Sequence, residues 1–212
     1  MMPKKEFYKK QAATIISQFA LRGIEGHYCR NANEAKELAL SMMEDGASVA
    51  WGGSESIKEI GLLDAVKSSD RLEVIDRADY KTPEQQRELK GKIAMSDYFL
   101  MSSNAITLDG QLVNIDGAGS RLSYLIYGPE NVIVIAGMNK VAATVEDAIH
   151  RVQNIASPPN TMRLGCDTPC AKTGKCGNCI SDATICCQVV ITRRSRINNR
   201  IKVILVGEEL GF

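Results

Sequence analysis

Apolar residues recur along this chain at two periods, and the period switches repeatedly between helix and strand. Phe7, Ala12, Ile15, Ile16 and Phe19 fall on one helical face, which predicts an amphipathic helix from about residue 4 to 22 ended by Gly23. Residues 27–29 read as a short strand. Asn33 then opens a second helix with Ala35, Leu38, Ala39 and Met42 on one stripe and Gly46 closing it. Residues 47–51 are an apolar run too short for a helix, hence a buried strand, and a helix from about Ser56 to Leu63 follows it. Residues 72–75 and 98–101 are further strands, separated by a polar helix that starts at Pro83 and reaches about Met95. Residues 107–113 hold an Asp109-Gly110 turn between two short extended runs.

A short helix after Ser120 reaches Tyr127 and stops at Gly128-Pro129. Residues 131–136 form the cleanest buried strand. Thr144 caps a helix carrying Val145, Ala148, Ile149, Val152 and Ile155, which Pro158-Pro159 is expected to end. Residues 188–192 and 201–206 are two last strands, read as a hairpin around the basic tip Arg193-Arg194-Ser195-Arg196. Strands and helices alternate almost throughout, and several strands are continuously apolar. That pattern argues an α/β fold, a mainly parallel sheet sandwiched by helices. Residues 1–212 are expected to form one such domain, with 160–187 a cysteine-rich segment inserted before the last two strands.

Ligands of parallel sheets bind beyond the carboxyl ends of the strands, so the loops there are the candidates. Gly52-Gly53-Ser54 follows one strand and opens a helix; its glycines let backbone approach a ligand, and Ser56 with Glu59 fits a capping box. Asn104 and Thr107 lie just past another strand. Asp116-Gly117-Ala118-Gly119-Ser120-Arg121 is a second glycine turn, in which Arg121 can pair with an anion and Asp116 can orient a hydroxyl or Arg121 itself. Asn139 and Lys140 follow a third strand, Lys140 as an electrostatic clamp. Plain alternatives stand beside each: a tight turn with a capped helix, a structural Asp–Arg pair, a surface lysine. Neither His27 nor His150 sits in a triad-like context.

Charge changes the picture mainly by exclusion. With 26 basic and 25 acidic side chains the net charge is +1, which gives no basic field for nucleic acid. No apolar run approaches a membrane span, and the first ten residues are polar, so a cytoplasmic location without a signal peptide is expected. In that compartment thiols stay reduced, and the seven cysteines are an odd number. Six of them crowd between Cys166 and Cys187: Cys166, Cys170, Cys176, Cys179, Cys186 and Cys187. Thiols this dense, on short turns, suit a metal; Cys29 stands apart on a strand as an apolar thiol.

The run Asn104-Ala-Ile-Thr107, Gly110, Asn114-Ile-Asp116-Gly117, Gly119, Arg121, Gly128-Pro129 and Gly137-Met-Asn139-Lys140 resembles the LUD (lactate utilisation domain) family, and Gly52-Gly53-Ser54 with Glu59-Ile60-Gly61 matches its early glycine loop. The resemblance covers roughly residues 5 to 207. Some members also carry Thr-Pro-Cys, Thr-Gly-x-Cys-x-x-Cys and a later cysteine, matched here by Cys170, Cys176, Cys179 and Cys186, with Cys166 and Cys187 as extras. Ser181-Asp182 and Thr184 stand where such members often have Ser-Pro and Arg. The resemblance implies a fold similar to sugar-phosphate isomerases and CoA transferases, and a link to lactate oxidation beside iron–sulfur proteins.

Four thiolates can ligate an iron–sulfur cluster of the 4Fe–4S type or hold zinc tetrahedrally. The single Cys-x-x-Cys and the family's company lean to iron–sulfur. Three functions follow as expectations. One is a redox component of 2-hydroxy-acid oxidation that binds an anionic small molecule, a carboxylate or phosphate, at the glycine loops. The second is a non-redox transferase or isomerase with structural zinc. The third is a non-catalytic subunit that binds an iron–sulfur partner protein.

Overall fold

The computed structural model describes residues 3–212. Helix α1 (Pro3–Leu21) leads to β1 (Glu25–Cys29), then α2 (Ala32–Ser41), β2 (Ser48–Trp51), α3 (Glu55–Glu59), α4 (Leu62–Lys67) and β3 (Glu73–Val74). Helix α5 (Pro83–Ala94) precedes β4 (Tyr98–Met101), β5 (Ala105–Thr107) and β6 (Leu112–Asp116). Then come α6 (Ser120–Ile126), β7 (Asn131–Gly137), β8 (Val141–Ala142), α7 (Val145–Arg151), α8 (Ser157–Arg163), α9 (Pro169–Thr173), β9 (Gln188–Thr192) and β10 (Ile201–Val206).

Six strands form one parallel sheet in the order β1-β10-β7-β4-β2-β3. Alternation along each strand divides the core between its faces. Val132, Val134, Ala136, Val203, Leu205, Phe99 and Met101 pack against Ala12, Ile15 and Phe19 of α1, Leu89 and Ile93 of α5 and Leu122 and Leu125 of α6. Ile133, Ile135, Ile204, Val206, Leu100 and Val49 face Ala35 and Ala39 of α2, Ile57 of α3 and Leu62 and Val66 of α4. Both faces are covered, which is why these strands carry no polar period.

A second, four-stranded sheet runs β8-β5-β6-β9. It corrects one expectation: β9 and β10 do not form a hairpin. β9 lies antiparallel on β6, from Leu112↔Thr192 to Asp116↔Gln188, while β10 inserts between β1 and β7 in the large sheet. The exposed alternate residues of β9, against the buried run of β10, fit these two settings. Arg200 is buried and donates to the carbonyls of Tyr124, Leu125 and Pro129, where it caps the end of α6.

Pro158-Pro159 does not end the helix that Thr144 caps. α7 widens into a π-helical stretch at Val152–Ala156 and restarts as α8, whose first turn takes the prolines because those positions need no N–H partner. Helix α2 begins at an Asn31 cap rather than at Asn33. Ala148, Val152 and Ala156 from this bent helix pack on Ala105, Val113 and Ile115 of the second sheet. The segment from Cys166 to Cys187 lies between α8 and β9 and contains only the short α9. Among the described residues no helix is long and apolar enough to cross a membrane.

Candidate functional site

The loops after β2, β4 and β7 converge at the carboxyl end of the large sheet. The chain leaves β2 toward one face and β4 toward the other, so a crevice opens between them. There a cavity of about 310 Å³ is lined by Gly53, Ser54 and Ser56 from the first loop, Ser102 to Asn104 from the second, Asp116, Gly117 and Arg121 from the turn after β6, and Lys140 after β7. Glu55, Ser157, Arg163, Ile185 and Phe212 are among its walls, with Glu55 paired to Lys58 and Arg163.

Lys140 forms the floor. Only 4% of it is exposed, and its Nζ donates to Ser56 Oγ at 2.8 Å and Ser102 Oγ at 3.0 Å. Burial, then the charges of Arg151 and Arg121, press its pKa from 10.5 to about 7, against a smaller pull from Glu59. The surface-lysine alternative therefore falls. Ser56 reaches Lys140 because it does not cap the helix. Ser54 Oγ accepts the N–H of Ile57 at 3.3 Å instead, and Glu59, expected to close a capping box, accepts the N–H of Gly211 at 2.6 Å.

Arg121 ties the loops together. Its Nε donates to Asp116 Oδ2 at 3.3 Å, one terminal nitrogen to the Ser102 carbonyl and Asn114 Oδ1, the other to Asn104 Oδ1 and the Ile115 carbonyl. Its donors are spent within the protein, so its contribution to a ligand is its field and the loop geometry it fixes. Burial lowers its pKa, partly offset by Asp116. Gly52 is needed beside it: a Cβ there would lie 2.9 Å from Arg121 Cγ. Gly119, at φ +75°, opens α6 in a conformation other residues rarely adopt.

Thr107 and Asn139 stand outside the cavity lining. Thr107 accepts the N–H of Gln111 at 2.8 Å and bonds Asp109, which pairs with Arg22, so it holds the Asp-Gly turn. Asn139 Oδ1 accepts the N–H of Leu210 at 3.1 Å and thereby pins the segment that carries Gly211 and Phe212 to the cavity. Three contributors lacked a sequence signal specific to them: Ser56, Ser102 and Arg151. Arg151 lies behind the floor and donates to the carbonyls of Asn104 at 2.8 Å and Asn139 at 3.1 Å. The polar Ser102-Ser103-Asn104 directly after an apolar strand was the available hint; Arg151 is hidden within a helical period.

The cysteine segment borders the same cavity. Gly117 faces Ile185, Cys187 N–H donates to the Asp116 carbonyl at 3.0 Å, and Cys186 Sγ meets Ser157 Oγ at 3.5 Å. Cys170 is buried between the hydroxyls of Thr161 and Thr168, at 3.4 and 3.3 Å. Burial pushes the Cys186 thiol up; Ser157 opposes this, while Cys176, Cys170 and Cys179 add to it, so those three thiols stand near enough to act on Cys186. A hydrogen bond from Ser181 lowers the Cys179 thiol. Among the described residues no three His, Cys, Asp or Glu side chains are gathered tightly enough to hold a metal ion as they stand. Four thiols are the donor chemistry that a thiophilic metal takes. Cys29, far off on β1, is buried and its thiol is pushed up to about 11 by burial.

A model of the LUD domain family matches residues 12–206. Among solved structures, the chain is similar to a DUF162 family protein from Deinococcus radiodurans, with 12% identity, 95% of this chain and 98% of that one covered, and a TM-score of 0.53. At that identity the likeness speaks for the fold alone, an α/β fold with a parallel sheet flanked by helices. No curated protein matches the chain.

Proposed function

Because the chain belongs to the LUD domain family, which is associated broadly with lactate utilisation, we propose that it binds a small 2-hydroxy or 2-oxo carboxylate in the strand-end cavity. The observation that carries this reading is the charge of the floor. Arg121, Arg151 and Lys140 crowd together; Lys140 bonds two serine hydroxyls, and Arg151 donates to the backbone oxygens of Asn104, Asn139 and Phe212, so among the described residues neither pairs with an Asp or Glu side chain. A floor with surplus positive charge and serine hydroxyls suits a carboxylate that carries an adjacent oxygen. An arriving anion would raise the Lys140 pKa, so binding draws in a proton and strengthens as pH falls toward about 7.

Cys170, Cys176, Cys179 and Cys186 are the residues that would hold a metal centre, an iron–sulfur cluster in the first reading. Such a centre would supply one-electron redox chemistry beside the bound acid. The contact of Cys186 with Ser157, a cavity wall residue, supports a role next to the ligand rather than at a remote structural site.

Two measurements test the reading. Calorimetric titration with lactate, pyruvate and inorganic phosphate should give saturable binding of at least one carboxylate, stronger at pH about 6 than at about 9. Absence of carboxylate binding at millimolar concentration removes the proposal. Anaerobically purified protein should be brown with absorption in the visible; colourless protein containing stoichiometric zinc favours the non-redox alternative.

A further inference from the structure

The floor holds an arrangement that anion binding alone does not require. The Lys140 amine lines the cavity, yet it hydrogen-bonds two serine hydroxyls and no carboxylate. Ser56 and Ser102 are themselves in contact at 3.4 Å, so one amine and two hydroxyls form a closed triangle. Two guanidinium groups, Arg151 and Arg121, act on that amine, and Glu59, the acid that pulls the other way, is engaged with the Gly211 N–H. A lysine used only as a cation would be set beside a carboxylate or left in water. A lysine dried out and crowded by cations is the form that attacks carbonyl carbon.

We propose that Lys140 forms a Schiff base with the carbonyl of a small 2-oxo acid, with Ser102 and Ser56 relaying the protons. This rests on the reading of the cavity as a 2-hydroxy or 2-oxo acid site and names the oxo acid as the form the protein engages covalently. The nitrogen lone pair forms a bond to the carbonyl carbon, and the C=O π pair moves to oxygen, giving a carbinolamine. That oxygen then leaves as water, carrying the two protons the amine gave up, and the C=N bond closes. No oxidant or reductant is consumed.

Burial tunes the same group in the direction the chemistry needs. With its pKa pressed to about 7, Lys140 holds a substantial neutral fraction near neutrality, where an ordinary lysine holds almost none. Ser102 is the better placed relay, since its carbonyl is gripped by Arg121 at 2.9 Å and its side chain is slightly more open than that of Ser56. Ser56 lies under Gly211, where a Cβ would approach its Oγ to 2.7 Å. A 2-hydroxy acid has no carbonyl at that carbon and would bind without bonding.

The test is reductive trapping. The full chain is incubated with pyruvate and cyanoborohydride, digested and mapped by mass spectrometry, in parallel with calorimetry using pyruvate and lactate. The expected result is one pyruvyl adduct at Lys140, saturating with pyruvate, absent with lactate and absent in Lys140→Met. Ser102→Ala is expected to slow trapping about tenfold or more while pyruvate still binds. Adducts confined to exposed lysines, or equal at all lysines, overturn the inference. Pyruvate that binds by calorimetry without trapping overturns it while leaving the cavity's ligand class intact; pyruvate and lactate that both fail to bind remove both.

Discussion

The cavity floor and the cysteine segment touch, yet they are held in different ways. The floor is a closed hydrogen-bond network. Arg121 reaches five acceptors on two stretches of chain, Asn114 bridges Ser103 and Asn104, and among the described residues no buried side-chain nitrogen or oxygen lacks a partner. The cysteine segment has one short helix, a Thr168 cap and a Gly174 stop, and then irregular chain to Cys187. Its thiols range from buried Cys170 to exposed Cys187. A network of this kind is organised before a ligand arrives, so binding spends little on ordering it. A run of thiols on short turns draws its order from whatever the thiols bind. The same cavity thus has one wall held by a closed polar network and one of mostly irregular chain that carries the thiols.

The largest expected effect tests the networked wall. Arg121→Ala leaves the part-buried Asp116 without its cation and strips a donor from the oxygens of Ser102, Asn104, Asn114 and Ile115 at once, and should cost about 3 kcal/mol in urea denaturation. A loss below about 1 kcal/mol would mean the loops hold themselves, and the contrast with the cysteine segment would vanish. Next is the pH response of Lys140. In the unfolded chain this lysine keeps its proton up to its ordinary value of 10.5, whereas in the fold it does so only up to about 7. Between those values the unfolded state binds one proton more, so stability rises with pH across that window. Each pH unit inside it is worth about 1.4 kcal/mol, so a gain of roughly 2–3 kcal/mol is expected from pH about 7 to about 9. Lys140→Met should flatten that slope and be more stable than the parent below about pH 7. Equal slopes in the two proteins would show that the buried amine stays protonated.

What the sequence made legible follows the same division. Apolar strands announced the parallel sheet because both of its faces are buried, and glycine turns at strand ends announced Gly53, Ser54, Asp116, Gly117 and Arg121, all at or around the cavity. The partners of those residues were not legible. Ser56 meets Lys140, 84 positions away, and Glu59 meets Gly211, 152 positions away, while Ser54 takes the cap, so the capping-box pattern pointed at the wrong partners. The false hairpin of β9 and β10 has a similar cause: adjacency in sequence favours pairing, but β6 was short of a neighbour on one edge and β10 fits only the buried gap between β1 and β7. The prolines after α7 misled because proline stops a helix from within and starts one from its first turn, and the π-helical stretch that separates those cases leaves no mark in the pattern.

The smallest effect is on the cysteine wall, and it separates the four matched cysteines from the two extras. In metal-free protein, brief alkylation should follow exposure, with Cys187 modified about tenfold or more faster than Cys170, which is enclosed by Thr161 and Thr168. Cys186, half-buried with its thiol pushed up by burial, should also lag. Loading with ferrous iron and sulfide, or with zinc, should then protect Cys170, Cys176, Cys179 and Cys186 together and leave Cys166 and Cys187 reactive. Peptide mapping reads both patterns. Protection of Cys166 or Cys187 in place of one of the four would redraw the ligand set. Protection that also slows pyruvate trapping at Lys140 would tie the two walls into one site, through the contact of the Cys186 thiol with Ser157 of the cavity wall.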